Sequence, residues 1–173
     1  TEIICGGTLA RAKKDGAAIA VCVMCQGDKG LPAGASAEKF VEVRQSEASE
    51  AAEALGAKLF WFGSPDGELI DSVESRRKLI EIYRQFVPTL VITHGPEDYH
   101  ADHRAAHAIA EAASWFAASR GHVTASKVLE APPALWLADT LNMSGFVPEF
   151  YLDVTEHVAL KKRMLHCHRS QLQ

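Results

Sequence analysis

The sequence predicts a three-layer α/β sandwich with a mostly parallel sheet. Short apolar runs typical of buried strands alternate with longer stretches of helical periodicity. No internal repeat or linker interrupts this alternation, and 173 residues are enough for one domain with a full core. A cluster of histidines and carboxylates falls where one strand gives way to a helix, which is where open α/β sheets place their ligands. We therefore expect a single domain over residues 1–173.

Four runs of apolar, β-branched and aromatic residues have the length of strands, and turn-forming residues follow them. In chain order they cover 17–25, 58–62, 87–93 and 127–131. The first precedes a loop rich in Gly and Pro at 26–36, the second precedes a turn at 63–67, and Pro132-Pro133 ends the last. A less regular stretch then leads to an apolar segment at 149–154.

Five stretches have the periodicity or composition of helices. In chain order they cover 1–16, about 37–55, about 72–86, 105–119 and about 156–168. The fourth is alanine-rich, and it would begin near Ala101 if His100 occupies its cap. Loops 27–36 and 132–148 join these elements and are expected to set substrate choice, because loops carry most specificity contacts.

The beginning of the chain is unusual for this fold class. The first helical stretch contains Gly6-Gly7, and no strand precedes it. In an α/β domain, such a helix normally packs closely on a strand just before it. We therefore expect that a strand and its loop are missing before Thr1, so that the domain is incomplete at its N-terminus.

Composition excludes several classes of protein. The net charge is -4 and no Lys/Arg face is present, which argues against nucleic acid or an anionic membrane surface as partner. No apolar run is long enough to cross a bilayer, so no membrane insertion is expected. A Rossmann-like sheet invites the hypothesis of a dinucleotide enzyme, but neither G-x-G-x-x-G nor the phosphate-binding Walker pattern occurs.

The pair Cys22 and Cys25 has the spacing of a redox or zinc motif. It lies within a predicted strand, where side chains three positions apart face opposite sides, so the two thiols would diverge. We interpret them as inert core cysteines. Such cysteine usage fits a reducing compartment, so a cytoplasmic location is expected.

Chemistry is concentrated between Thr93 and His107. This segment holds four of the eight histidines and three carboxylates. These seven residues are His94, Glu97, Asp98, His100, Asp102, His103 and His107. Any one of them is explained by a helix cap or a surface position, but seven in fifteen residues favour a functional site. His94 could line that site from the end of the strand.

Within this segment, His100-Ala-Asp-His103 places two imidazoles three residues apart. If the helix starts near Ala101, both rings face the same crevice. One could ligate a metal while the other donates a hydrogen bond, its tautomer fixed by Asp102 or Asp98. His103 and His107 also have the i, i+4 spacing of two ligands on one helix face, although a structural role suits His107 better.

The segment resembles the PIG-L/LmbE-like zinc-dependent deacetylases, which act on N-acetylglucosamine-type substrates with a Rossmann-like fold. Their motif H-x-D-H before a helix stands here as His100-Ala-Asp-His103. The tail of their first motif, A-H-P-D-D followed by E and a Gly-Gly-Thr-Leu helix, stands here as Thr1-Glu2 and 6–10. Weaker echoes are Arg44-x-x-Glu47, Asp66 and His168-Arg-Ser-Gln171.

The resemblance implies roles by position. His103 matches the family's histidine ligand to zinc, His100 the histidine that stabilises the oxyanion, and Asp102 the carboxylate that orients or tunes it. Arg44 and Asp66 match positions associated with substrate hydroxyl or phosphate contacts. The implied cofactor is Zn²⁺ and the implied partner is a small amino-sugar conjugate; homo-oligomers are also common in this family.

The two other zinc ligands and the general base of the family belong to its first motif, which would lie before Thr1. Residues 1–173 are therefore expected to bind zinc weakly and to turn over little. The leading hypothesis is a zinc-dependent N-deacetylase. An inactive binding or scaffold protein that keeps the fold is the alternative, and a nucleotide-dependent oxidoreductase ranks third.

Overall fold

The computed structural model describes residues 1–143 and 145–172. Helices and strands alternate as α1 (Glu2–Lys14), β1 (Ala20–Cys25), α2 (Ala37–Leu55), β2 (Lys58–Ser64), α3 (Val73–Phe86), β3 (Leu90–His94), α4 (Ala101–Phe116), β4 (Ala134–Ala138) and α5 (Val158–Cys167). Short 3₁₀ turns cover Asp28–Gly30, Thr155–His157 and Arg169–Gln171. β1 pairs with β2 and β3 pairs with β4, both in parallel. The predicted α/β class with parallel strands is confirmed.

Two compact units make up the chain. The first comprises Thr1–Asp66 and the segment from Pro148 onward, and the second comprises Gly67–Val147. Each unit contains one parallel pair of strands with helices beside it. Within the described part of the chain, no helix is long and apolar enough to span a membrane. The prediction of one domain over 1–173 stays a prediction.

The core of the first unit is built from small and medium side chains of α1, α2 and α5, together with one residue that precedes β1. Its buried members are Ala10, Ile19, Ala51, Leu55 and Met164. Small side chains allow the helices to approach closely, and Gly7 extends this contact. A Cβ at Gly7 would meet the side chain of Val154 at 2.8 Å. Gly7 therefore serves close packing against the segment that precedes α5.

In the second unit, α3 packs against α4. Leu79, Ile80 and Ile109 are fully buried between these elements. Arg84, near the end of α3, is also buried. Its guanidinium donates to the carbonyl oxygens of residues that end α4 and begin the next loop, and to one hydroxyl: Phe116 O, Ala117 O, Ser119 O, His122 O and Thr124 Oγ1. A cation at this position satisfies carbonyls that a helix end leaves unpaired.

Replacing Arg84 by Met should therefore destabilise the fold. The substitution keeps an apolar stem but leaves several buried carbonyl groups without a donor, so we expect a loss of about 3 kcal/mol in the free energy of unfolding. Urea unfolding followed by circular dichroism measures this loss. Arg77→Met, on the exposed face of the same helix, is the matched control and should change stability by less than about 0.5 kcal/mol. Equal effects of both substitutions would contradict the assignment.

The predicted strand at 127–131 is wrong. This segment is not a strand; Leu129 is buried, and its backbone N–H donates to Ala117 O. The strand lies beyond the two prolines as β4, whose register pairs Trp136 with Ile92. Lys127 and Glu130 reduce the apolar character of the first segment, whereas β4 is continuously apolar. Residues 134–138 of the predicted specificity loop 132–148 are therefore part of a sheet, and position 144 lies outside the described residues.

The strand predicted at 87–93 begins later, at Leu90. Val87 is the C-cap of α3 with φ 58°, a left-handed conformation that β-branched residues rarely adopt. Pro88 follows, and proline disfavours the helical region for the residue before it. The helix therefore ends at this point, and two residues are needed before strand pairing begins.

None of the four cysteines, all of which lie in the described part of the chain, forms a disulfide. Cys22 and Cys25 lie in β1, as predicted, and are half-buried rather than fully buried. Positions three apart in a strand face opposite sides of the sheet, which favours separate packing roles over a shared redox bond.

Candidate active site

The junction between β3 and α4 places the ionisable residues of the second unit close together. β3 ends at His94, and α4 begins at Ala101 with His100 as its N-cap. The Nδ1 atom of His100 accepts a hydrogen bond from the backbone N–H of Asp102 at 3.2 Å. The predicted helix start near Ala101 is confirmed. His100 satisfies one of the N–H groups that a helix start leaves unpaired.

Three side chains form the centre of this junction. Nδ1 of His103 lies 2.9 Å from Oδ1 of Asp98, and Nδ1 of His94 lies 3.5 Å from Oδ2 of the same carboxylate. The rings of His94 and His103 are stacked, with centroids 3.9 Å apart and an interplanar angle of 7°. Donor atoms of all three residues lie within 4.8 Å of one another, close enough for a His/Asp metal site.

Asp98 carries a buried negative charge. Burial by itself would raise its pKa, but the backbone N–H of His100 and the ring of His103 donate to the carboxylate and lower the pKa below its ordinary value. Its Oδ2 atom is buried and makes no hydrogen bond to any described residue. A carboxylate that is ionised yet incompletely paired favours a cation or a cationic imidazole nearby.

The ring of His94 is held neutral at ordinary pH. Burial and the neighbouring ring of His103 lower its pKa to about 4, although Asp98 opposes this shift. A neutral imidazole can stack on its neighbour without charge repulsion. His94 therefore lies against the face of the His103 ring as a neutral imidazole.

Ring geometry limits which residue can bind a metal. An imidazole would ligate zinc through a ring nitrogen. His94 and His103 are stacked face to face, so their ring nitrogens, and not their faces, would be the ligand atoms. Because Asp98 occupies Nδ1 of His103, Nε2 of that ring is the remaining ligand atom, as in the carboxylate–histidine pairs of metal sites. The arrangement suits His103 as ligand, with Asp98 behind it.

The side chain and the backbone of Asp102 contact different parts of the site. Its buried carboxylate accepts from the backbone N–H groups of Gly67 at 2.7 Å and Leu69 at 3.3 Å. Its Oδ2 lies 3.9 Å from Nδ1 of His100, too far for a hydrogen bond. Asp102 contacts His100 through its backbone N–H instead. The residue thus fixes both the loop that follows β2 and the tautomer of His100.

Two other side chains complete the junction. Tyr99 lies edge-on to His100 and His103, with centroid distances of 6.1 and 5.7 Å. No pattern in the sequence marks this exposed aromatic residue beyond its place between Asp98 and His100. Nδ1–H of His107 donates a hydrogen bond to the backbone carbonyl oxygen of His94 at 2.9 Å, which connects α4 to the end of β3. This contact fits the predicted structural role of His107.

The remaining predicted site residues, Arg44 and Asp66, lie in the first unit. Both contact Gly27, which has φ 74°. The backbone N–H of Gly27 donates to Oδ1 of Asp66 at 2.9 Å. A Cβ at Gly27 would meet Nε of Arg44 at 2.7 Å, so only glycine leaves room for that side chain. The structure therefore brings these two predicted residues to one turn after β1.

A cluster of histidines and carboxylates at a strand-to-helix junction is typical of the active site of an α/β enzyme. Comparison with known proteins identifies the family. The profile of the PIG-L family, described as GlcNAc-PI de-N-acetylase, matches residues 1–114. The chain belongs to this family. The predicted resemblance is confirmed.

Related proteins carry two kinds of activity. A 4-oxalmesaconate hydratase from Pseudomonas putida is 28% identical over 174 residues, covering 96% of this chain and 67% of that protein. A conserved protein of Thermus thermophilus superposes with a TM-score of 0.85 and 31% identity, over 98% of this chain and 74% of its own. The N,N′-diacetylchitobiose deacetylase of Pyrococcus horikoshii superposes with a TM-score of 0.88 and 25% identity, over 99% of this chain and 66% of its own. The chain is thus a hydrolytic or lyase-type enzyme of the LmbE-like superfamily.

Proposed function

We propose that the protein is a zinc-dependent hydrolase that removes the acetyl group from an N-acetylglucosamine-type amino-sugar conjugate. The observation that carries this proposal is the contact between Asp98 and Nδ1 of His103 in a chain of the PIG-L family. The similarity to a diacetylchitobiose deacetylase supports amide hydrolysis as the reaction.

The donor set fits zinc, for which imidazole is a preferred ligand. His103 would be one of the protein ligands through Nε2, with Asp98 fixing the ring and increasing its basicity. When bound, zinc would supply an activated water and polarise the acetyl carbonyl. His94 would restrict rotation of the His103 ring by stacking on it. Because the His94 ring is neutral, it would not repel the positive charge of the metal.

His100 is proposed to stabilise the negative charge that develops on the carbonyl oxygen. Its Nδ1 accepts from the backbone of Asp102, so the neutral ring carries its proton on Nε2. That N–H is available for donation, because the side chain is 45% exposed. The rings of His100 and His103 lie 4.9 Å apart, so a group as small as an acetyl can contact both. Preorganised donors of this kind are most effective in the transition state.

Arg44 and Asp66 are proposed to contact hydroxyl or phosphate groups of the substrate. Arginine presents a planar set of donors that matches anionic oxygens, and aspartate accepts from hydroxyl groups. Asp66 already receives one backbone hydrogen bond from Gly27, which orients its carboxylate.

Acetate release tests the proposal. The full-length gene product that contains residues 1–173 would be incubated with zinc and with N-acetylglucosamine, its disaccharides and its inositol and malate conjugates. Stoichiometric acetate and free amine, lost after treatment with a chelator and restored by zinc, would support the function. Absence of acetate from every substrate would refute it.

A second candidate function is hydration of an unsaturated carboxylic acid. It is favoured by the 28% identity with 4-oxalmesaconate hydratase over 96% of the chain. The same histidines could move protons during addition of water to a double bond. Loss of the ultraviolet absorbance of 4-oxalmesaconate, without acetate release from any amino sugar, would select this function over the deacetylase.

Replacing Asp98 by Asn should weaken metal binding and activity together. Asn keeps the shape but loses the charge that fixes the His103 ring, and such a change in a supporting residue typically costs about 10–100-fold. Zinc affinity by competition with a chromogenic chelator and kcat/KM on the identified substrate measure the two losses. Glu97→Gln, at the exposed neighbouring position, is the control and should behave as wild type. Unchanged zinc affinity in Asp98→Asn would contradict the supporting role.

A further inference from the structure

A buried carboxylate lies one helical turn from Arg44 on α2. Glu47 is 3% exposed, although glutamate is seldom buried without partners. Its Oε2 accepts from Nη1 of Arg44 at 3.1 Å and from Oγ of Ser170 at 2.8 Å. Its Oε1 accepts from the backbone N–H of Ser170 at 2.7 Å. The two hydrogen bonds from Ser170 join α2 to the last turn of the described chain, and the bond from Arg44 lies within α2.

The charge of Glu47 is maintained by these contacts. Burial would raise its pKa, but the backbone and hydroxyl of Ser170 and the guanidinium of Arg44 lower it below the ordinary value. An ionised, buried carboxylate fixed at both oxygens holds its partner in one orientation more strongly than a neutral acceptor does.

Arg44 is confined from a second side. Its Nε runs so close to Gly27 that a Cβ there would lie 2.7 Å away. The side chain is 21% exposed. Only Nη1 of its guanidinium has a hydrogen-bond partner among the residues that the structure describes. Glu47 and Gly27 therefore fix the aliphatic part of the side chain and one amino group, and Nε and Nη2 remain for a ligand oxygen.

We propose that Glu47 and Ser170 are positioning residues that fix the guanidinium of Arg44 for ligand binding. The Nε and Nη2 groups of Arg44 then donate to an anionic or hydroxyl oxygen of the substrate. The assignment of Arg44 to the substrate rests on the proposed function. Neither Glu47 nor Ser170 touches the reacting atoms in this proposal; both act through Arg44.

Arginine side-chain NMR tests the fixation without any substrate. In the ¹⁵N-labelled full-length gene product, Arg44 would be identified by the signals lost in Arg44→Lys. The hydrogen bond from Nη1 of Arg44 to Glu47 slows rotation about the Nε–Cζ bond. Separate Nη signals are therefore expected in the wild type and one averaged signal in Glu47→Gln. Ser170→Ala, a milder change, should broaden them. Glu50→Gln on the same helix, whose partner is Arg169, is the control and should leave them unchanged.

Kinetics test the consequence. Glu47→Gln should raise KM by about 10-fold and change kcat little, since it removes binding made equally in ground and transition states. The same substitution in an Arg44→Ala background should have less than about a twofold effect, because coupled residues are not additive. Fully additive losses would overturn the proposal, as would averaged Nη signals in the wild type.

These outcomes separate the two proposals. A wild-type protein without activity on any tested substrate would refute the proposed function, while the arginine spectra would still decide whether Glu47 and Ser170 fix Arg44. Conversely, normal deacetylation with a freely rotating Arg44 would leave the function in place and overturn the positioning role.

Discussion

His103→Ala is expected to lower kcat/KM by about 10³-fold or more. The substitution removes the Nε2 atom that the Asp98 contact leaves for the metal. Metal ions contribute several kcal/mol of transition-state stabilisation, and each 1.36 kcal/mol is about a factor of ten in rate. Steady-state kinetics on the identified substrate, with and without added zinc, measure the loss.

Added zinc should not restore His103→Ala, because the ligand itself is absent. His166→Ala, at an exposed position of α5, is the matched control and should retain wild-type activity. A His103→Ala protein that is folded by circular dichroism and retains more than about one-tenth of the activity would contradict the role of His103.

His100→Asn is expected to lower kcat by about 10²–10³-fold while leaving metal content unchanged, as is typical for loss of one oxyanion donor. Asn is among the best N-cap residues, so the start of α4 should survive. The Nε2 donor is lost because the shorter side chain does not reach as far as the imidazole. Activity and bound zinc would be measured on the same preparation.

The contrast between the two histidines is the informative result. Loss of zinc in His100→Asn would show that His100 is a ligand, and unchanged kcat would show that its N–H contacts nothing in the transition state. His100→Ala, which also removes the cap, should be less thermally stable than His100→Asn at similar activity. A reversed order of stability would contradict the capping role.

Much of the fold was accessible from local sequence patterns. The helix at 37–55 was predicted with the bounds that the structure gives, because its periodicity is sustained and Gly56 adopts the left-handed cap with φ 68°. The strand error at 127–131 has a tertiary cause. An apolar residue such as Leu129 can be buried against the end of a helix as well as in a sheet, and local composition does not distinguish these surroundings.

Some of the local geometry around the candidate site follows from the sequence pattern. The position of His100 at the helix start follows from the strand-to-helix pattern, and the sequence left Asp98 and Asp102 as alternative partners for an imidazole. In the structure the ring of His103 contacts Asp98, whereas the carboxylate of Asp102 accepts from the backbone N–H groups of Gly67 and Leu69. Contacts 33 and 35 positions apart in the chain have no local signature.

The link between Glu47 and Ser170 was inaccessible for the same reason, since it spans 123 positions. The sequence showed Glu47 only as the end of an R-x-x-E pattern on a helix, where an exposed i, i+3 ion pair is the ordinary interpretation. In the structure Glu47 is buried, and the side chain of Arg44 is confined between Glu47 and Gly27.

Metal content tests the central claim most directly. The full-length gene product and its His103→Ala variant would be purified without chelators, loaded with zinc, desalted and analysed by mass spectrometry for bound metals. We predict about one zinc ion per chain in the wild type, as expected for a mononuclear catalytic site. The His103→Ala variant should contain almost none. No bound metal in the wild type, or equal zinc in both proteins, would contradict a metal-dependent mechanism through His103.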